Sequence, residues 1–89
     1  MLLSIIIPAF NEAAFLPEVI RRVEETPYDK EIIIVDDGST DGTREYLKGL
    51  VSEGIKVIVH EKNMGKGAAM RTGIAVASGD VVIVQDADL

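Results

Sequence analysis

Cysteine is absent from this chain, which excludes a disulfide framework and any thiolate zinc site. That absence is compatible with every compartment. There is a single histidine, His60, so no Ser-His-Asp relay can be assembled with choice, and one histidine at a strand end reads as structural or exposed rather than catalytic. Basic residues are scarce: nine Lys and Arg stand against fifteen Asp and Glu, for a net charge of −6. Neutralising a phosphate backbone requires clustered Lys and Arg, so nucleic acid is excluded as a partner. No polybasic patch faces an anionic membrane either. No apolar run reaches membrane-spanning length, so this chain has no transmembrane segment. The apolar start, Met1 to Pro8, lacks the basic n-region and small-residue cleavage site of a signal peptide, and reads as a buried strand, with the cytoplasm as the compartment. Linkers, low-complexity tracts and repeats are also missing. What remains is 89 residues, 47% hydrophobic and 27% charged, which fits one small soluble domain with well-buried strands.

The hydrophobic pattern alternates strand and helix. Strands are predicted over Leu3–Ile7, Glu31–Val35, Ile55–Val59 and Val81–Val84. The first helix is predicted over Leu16–Glu25, with Pro17 in its first turn and Leu16, Val19, Ile20 and Val23 as its buried stripe. A second is predicted over Gly42–Ser52, capped by Asp41, with Leu47, Leu50 and Val51 inward and Gly54 as its stop. The third, Gly65–Ala77, is rich in small residues (Ala68, Ala69, Gly73, Ala75), which predicts close packing on a sheet. Strands one, two and four are continuous apolar runs, the signature of strands buried on both faces of a parallel sheet. Short connections then give an α/β fold: a Rossmann-like βαβαβαβ half with strand order 3-2-1-4 and helices on both faces. The switch point falls between strands one and four, where α/β sheets bind ligands outside the carboxyl ends of their strands.

The chemistry-bearing residues cluster at those ends. Two apolar strands run into carboxylates: Val35 into Asp36-Asp37-Gly38-Ser39, and Val84 through Gln85 into Asp86-Ala87-Asp88. A carboxylate at a strand end accepts hydrogen bonds from a base or a ribose, and a following glycine allows close backbone approach. Two adjacent acids at a buried strand end repel each other and need a use. Asp86 and Asp88 offer hard oxygen ligands for Mg²⁺ or Mn²⁺, which bridges nucleotide phosphates. Against each reading stands a plainer one: a helix cap for Asp41, a capping turn for Asn11-Glu12, a solvated acidic strand end for Asp86 and Asp88. Gly65-Lys66-Gly67 opens the third helix, where backbone N–H groups and Lys66 face an anion. It is neither a Walker A loop nor a dinucleotide-binding GxGxxG. Arg71 either reaches a diphosphate or is simply solvated.

Four segments in order, Ser4-Ile-Ile-Ile-Pro-Ala-Phe-Asn-Glu12, Ile34-Val-Asp-Asp-Gly-Ser-Thr-Asp41, Asn63-Met-Gly-Lys-Gly-Ala68 and Asp86-Ala-Asp-Leu89, resemble the family 2 glycosyltransferases of GT-A fold. The last two look most like the branch of dolichyl-phosphate mannosyltransferases and related polyprenyl-phosphate glycosyltransferases. The resemblance implies an inverting, metal-dependent transfer of sugar from a nucleoside-diphosphate sugar, GDP or UDP type, to an acceptor such as a polyprenyl phosphate. It implies that Pro8, Ala9, Phe10 and Glu12 line the base and ribose pocket. Asp37 would bond the base, with Asp36 and Gly38 beside it. Lys66 and Arg71 would lie near the diphosphate. Asp86 and Asp88 would hold the cation, Asp88 more directly. Family members are longer, and their acceptor and catalytic-base regions follow the DxD segment. The expectation is therefore a nucleotide-binding part, weakly binding and inactive alone, of a protein at the cytoplasmic face of a membrane. Strand 81–84 is then expected to leave an uncovered edge through which copies self-associate.

Two other functions compete. One is a non-catalytic folding or assembly fragment whose acids do no chemistry; metal-dependent nucleotide binding separates it from the enzyme. The other is a nucleotidyltransferase, whose Gly-rich loop after strand one is replaced here by Pro8-Ala9-Phe10-Asn11-Glu12.

Overall fold

The β-branched runs of the sequence form the two central strands of a parallel sheet. In the computed structural model, which describes residues 1–50 and 54–88, β1 (Leu3–Ala9) pairs with β2 (Lys30–Asp37) in a register that sets Ile5 opposite Ile32 and Ile7 opposite Ile34. Isoleucine and valine are stiff at χ1 and pack well on a pleated surface, which suits the interior of such a sheet. β3 (Ile55–His60) lies outside β2 and β4 (Val81–Val84) outside β1, giving the expected order β3-β2-β1-β4.

Side chains alternate across the pleat, so each central strand feeds two cores. Ile5, Ile7, Ile32 and Ile34 pack with Leu16, Val19, Ile20 and Val23 of α1 (Leu16–Glu24) and Leu47 of α2 (Thr43–Lys48). On the other face Ile6, Ile33 and Val35 pack with Ala69 of α3 (Lys66–Val76). The expected stripe of α1 is the buried one, and Pro17 occupies its first turn, where its missing N–H costs nothing. The small residues of α3 have the expected purpose. A Cβ on Gly73 would lie 2.6 Å from Cγ2 of the fully buried Ile6, so only glycine lets this helix sit so close to β1.

The structure corrects one expectation and decides between two others. α2 ends at Lys48, with Gly49 rather than Gly54 as its C-cap; Gly54 instead adopts φ +86° at the entrance to β3, and its carbonyl accepts the Ile32 N–H at 2.8 Å. The expected inward Val51 lies outside the described residues. Of the two readings of β4, burial on both faces and an uncovered edge, the structure shows the second, although the sequence is as apolar as that of β1: Val81, Val82, Ile83 and Val84 are 36–42% exposed. It is an edge strand, and α3 packs across β1 and β2 and leaves it uncovered. An apolar run signals a strand but does not say whether a helix will cover it.

At the amino end of the sheet a buried polar cluster closes the α3 face. Glu31 Oε2 accepts hydrogen bonds from Ser4 Oγ at 2.6 Å, Ser78 N at 2.6 Å and Ser78 Oγ at 2.9 Å, while Oε1 meets Lys56 Nζ at 3.2 Å. Ser4 Oγ accepts in turn from Gly79 N at 2.8 Å. These bonds pin the turn between α3 and β4 to the sheet. The Ser4 hydroxyl, then the Ser78 N–H, hold the Glu31 carboxyl down at about 2 despite burial. No membrane-spanning helix occurs among the described residues.

Candidate functional site

A cleft of about 380 Å³ opens at the carboxyl ends of the strands, beside the switch point between β1 and β4. The end of β1 and the loop after it supply Pro8, Ala9, Phe10 and Glu12. β2 supplies Asp37, the start of α3 supplies Lys66, and the segment after β4 supplies Asp86 and Asp88. Eight of the expected residues thus line one cavity, although they come from four separate stretches of chain. Phe10 is 45% exposed on the rim, a flat apolar surface in contact with water.

The twin aspartates separate by pleat parity. Asp36 falls on the α1/α2 face, is fully buried, and does not line the cleft; its Oδ1 accepts Ser39 N at 3.0 Å and its Oδ2 lies 3.4 Å from Arg44 Nε. Asp37 falls on the α3 face and reaches the cleft. Its Oδ1 accepts Met64 N at 2.9 Å and contacts His60 Nδ1 at 2.9 Å, while Oδ2 accepts Gly65 N at 2.9 Å. Burial opposes ionisation of Asp37, but the hydrogen bonds from His60, Met64 and Gly65 outweigh it and hold the carboxyl below the usual range. The repulsion between neighbouring acids is thus relieved by sending them to opposite faces, each with its own donors.

Gly38 does not approach the cleft. At φ +77° it lets the chain pass so close to the loop after β3 that a Cβ would lie 2.4 Å from Lys62 C and Asn63 N. This crossing brings Asn63, which sequence reasoning had not singled out, into the cleft wall. Arg71 also lies outside the lining; its guanidinium lies back toward the first turn of α3, with Nη1 3.4 Å from where a Gly67 Cβ would stand. Asn11 is structural. It takes φ +53°, accepts Thr40 N at 2.8 Å through its side chain, and donates its own N–H to Ser39 Oγ at 2.9 Å. Glu12 does two jobs: its carbonyl accepts Phe15 N at 3.1 Å and Leu16 N at 2.9 Å to open α1, and the residue lines the cleft. Asp41 precedes the Gly42 N-cap, yet still accepts Thr43 N at 3.0 Å, and its other oxygen accepts Ala13 N at 3.1 Å. The capping turn therefore also ties the β1 loop to the β2 loop.

Ala87 is buried against the α1/α2 core, which leaves the flanking Asp86 and Asp88 exposed at the cleft. Asp86 Oδ1 accepts from Lys66 Nζ at 2.5 Å, and this hydrogen bond raises the Lys66 pKa. Among the described residues no three His, Cys, Asp or Glu side chains gather around one point. Two exposed carboxylates, one already holding a cation, suit a hard dication that keeps water or phosphate oxygens as its other ligands; they do not suit a closed protein cage. The lining carries four carboxylates, Glu12, Asp37, Asp86 and Asp88, against one ammonium, Lys66. Such a cleft receives an anionic ligand only with added countercharge.

Comparison with known proteins places the chain in a family. The model of the family described as glycosyl transferase family 2 matches residues 4–89. The undecaprenyl-phosphate 4-deoxy-4-formamido-L-arabinose transferase of Pseudomonas fluorescens (strain SBW25) is 40% identical over 93 aligned residues, covering 97% of this chain and 27% of that protein. The mannosyltransferase PcManGT of Pyrobaculum calidifontis, solved with GDP-Man and Mn²⁺, superposes with a TM-score of 0.85 at 29% identity, over 97% of this chain and 27% of that one. S. aureus TarS 1-349, solved with UDP, superposes at 0.83 with 28% identity, over 99% and 28%. The chain spans little more than a quarter of the length of the relatives it matches. With the family model matched from Ser4 onward and the parallel β3-β2-β1-β4 sheet shared with GT-A glycosyltransferases, this chain belongs to glycosyl transferase family 2.

Proposed function

We propose that these residues form the donor-binding part of a glycosyltransferase that moves a sugar from a nucleoside-diphosphate sugar to a polyprenyl phosphate. The observation that carries this reading is the cleft itself: an apolar rim at Phe10, an ionised Asp37, the Lys66 ammonium and the Asp86 and Asp88 carboxylates around one cavity at the switch point. Phe10 offers a face for the base. Asp37, preset by its protein donors, accepts a base N–H. Glu12 is placed for ribose hydroxyls, and Lys66 for the diphosphate once it leaves Asp86. Asp86 and Asp88 would hold a divalent cation, Mg²⁺ or Mn²⁺, which when bound supplies the positive charge that lets a diphosphate enter this acidic cleft and depart with its developing charge balanced. Neighbours solved with GDP-Man and with UDP support both base types, so guanine and uracil donors are both carried into the test. The named relatives support a polyprenyl-phosphate acceptor. The reaction in this reading inverts the anomeric centre, and the 89 residues hold the donor without turning it over alone.

Calorimetric titration with GDP and with UDP, with and without Mn²⁺, tests the reading. Metal-dependent binding of one nucleotide, weakened by Asp37→Ala and by Asp88→Ala, is expected. A folded chain that binds neither would favour the non-catalytic assembly reading, and product formation by this chain would overturn its predicted inactivity.

A further inference from the structure

His60 ends β3 directly beside Asp37 in the β2–β3 register. Its ring is bonded at both nitrogens: Nδ1 lies 2.9 Å from Asp37 Oδ1, and Nε2 lies 2.8 Å from Thr72 Oγ1 on α3. The side chain is only 11% exposed and is not part of the cleft wall. Its main chain is held as well, because Arg44 Nη2 donates to the His60 carbonyl at 2.9 Å. An ionised Asp37 only accepts, so the Nδ1 proton belongs to the histidine. In the neutral ring the Nε2 lone pair then accepts the Thr72 hydroxyl proton. The acceptor-only Asp37 thus selects the tautomer, and Thr72, whose hydroxyl can donate or accept, holds the ring at its other nitrogen. The bonds on Asp37 are unequal: Oδ1 takes two donors, from His60 and Met64, and Oδ2 takes one, from Gly65. A carboxylate oxygen offers two lone pairs, so the unfilled capacity lies at Oδ2.

We propose that His60, locked by Thr72, is a positioning residue that saturates Asp37 Oδ1 and leaves Oδ2 as the single oxygen free to accept an N–H from a nucleobase in the cleft. The proposal rests on the nucleotide-binding reading above. It differs from a packing role in a way that substitutions separate. His60→Phe keeps ring volume and loses both bonds. His60→Asn carries an amide N–H near the Nδ1 position, and Thr72→Val removes the hydroxyl without changing shape.

Long-range ¹H–¹⁵N NMR of the ligand-free chain at neutral pH reads the tautomer. A protonated Nδ1 is expected, whichever state Nε2 takes; an unprotonated Nδ1 overturns the proposal. Calorimetric titration with GDP and with UDP in Mn²⁺ then reads the consequence. His60→Phe is expected to weaken binding at least tenfold, His60→Asn to stay within threefold of wild type, and Thr72→Val to fall between them. Wild-type affinity in His60→Phe overturns the proposal. If wild type binds no nucleotide, the nucleotide reading fails by itself, and the Met64 and Gly65 amide resonances decide the positioning role. Shifts that move in His60→Phe and return in His60→Asn support it, and shifts unmoved in His60→Phe refute it. Should His60→Phe fail to fold, Thr72→Val carries both readouts, with unchanged affinity and amide shifts refuting the lock.

Discussion

Replacing Glu31 with glutamine is expected to destabilise the fold at neutral pH and to flatten its response to acid. The carboxyl is held at about 2, against an ordinary value of 4.5, by the Ser4 hydroxyl first and then by the Ser78 N–H. At about 1.4 kcal/mol per pKa unit, the ionised form carries up to about 3 kcal/mol of folding free energy. The side chain is 10% exposed, so solvent screens little of it. Glutamine keeps a carbonyl oxygen for the Ser78 N–H but loses the charge-assisted part of each bond, so the expected cost is about 1.5–3 kcal/mol. The sign follows from the direction of the shift. A carboxyl with a depressed folded-state pKa contributes fully above 4.5 and loses its contribution as pH falls through about 2. Urea unfolding of both proteins at pH 7, 5 and 3 measures the gap between them. It should be widest at pH 7 and pH 5 and clearly smaller at pH 3. An equal gap at pH 7 and pH 3, or no gap at pH 7, would show that the buried carboxylate is not held by these bonds.

Three further outcomes are expected. Gly38→Ala combines a φ of +77° with a Cβ 2.4 Å from backbone atoms of Lys62 and Asn63; it should cost more than about 2 kcal/mol in urea unfolding, and a cost under about 0.5 kcal/mol would mean the two loops are not in contact. In α3, Gly73→Ala gains up to about 1 kcal/mol of helix propensity but overpacks Ile6 by about 1–3 kcal/mol, for a net loss, whereas Gly67→Ala meets only the movable end of Arg71 and should be neutral or stabilising by thermal melting. The open β4 edge, with Val82 and Ile83 40% and 42% exposed, is expected to drive concentration-dependent self-association that Val82→Lys suppresses; light scattering that reports a monomer at high concentration would count against it.

Much of the architecture was legible because its causes are local. β-Branched runs specify strands, the Leu16-Val19-Ile20-Val23 spacing specifies the buried face of α1, and short connections leave few topologies but the order 3-2-1-4. The carboxyl-end residues then had to converge, since every strand of a parallel sheet points its loop to the same side. So the sequence by itself determined that Pro8, Phe10, Glu12, Asp37, Lys66, Asp86 and Asp88 would share a cleft. The tertiary structure decided what each does there. Pleat parity says that Asp36 and Asp37 face opposite ways, but only the placement of α3 makes Asp37 the one in the cleft. Contacts across long stretches of chain, Ser4 with Glu31, His60 with Thr72 and Lys66 with Asp86, leave no periodic trace. Whether an apolar strand is buried depends on what packs over it. β1 and β4 read alike in sequence, yet α3 covers one and not the other, because a helix can shield only the strands it crosses.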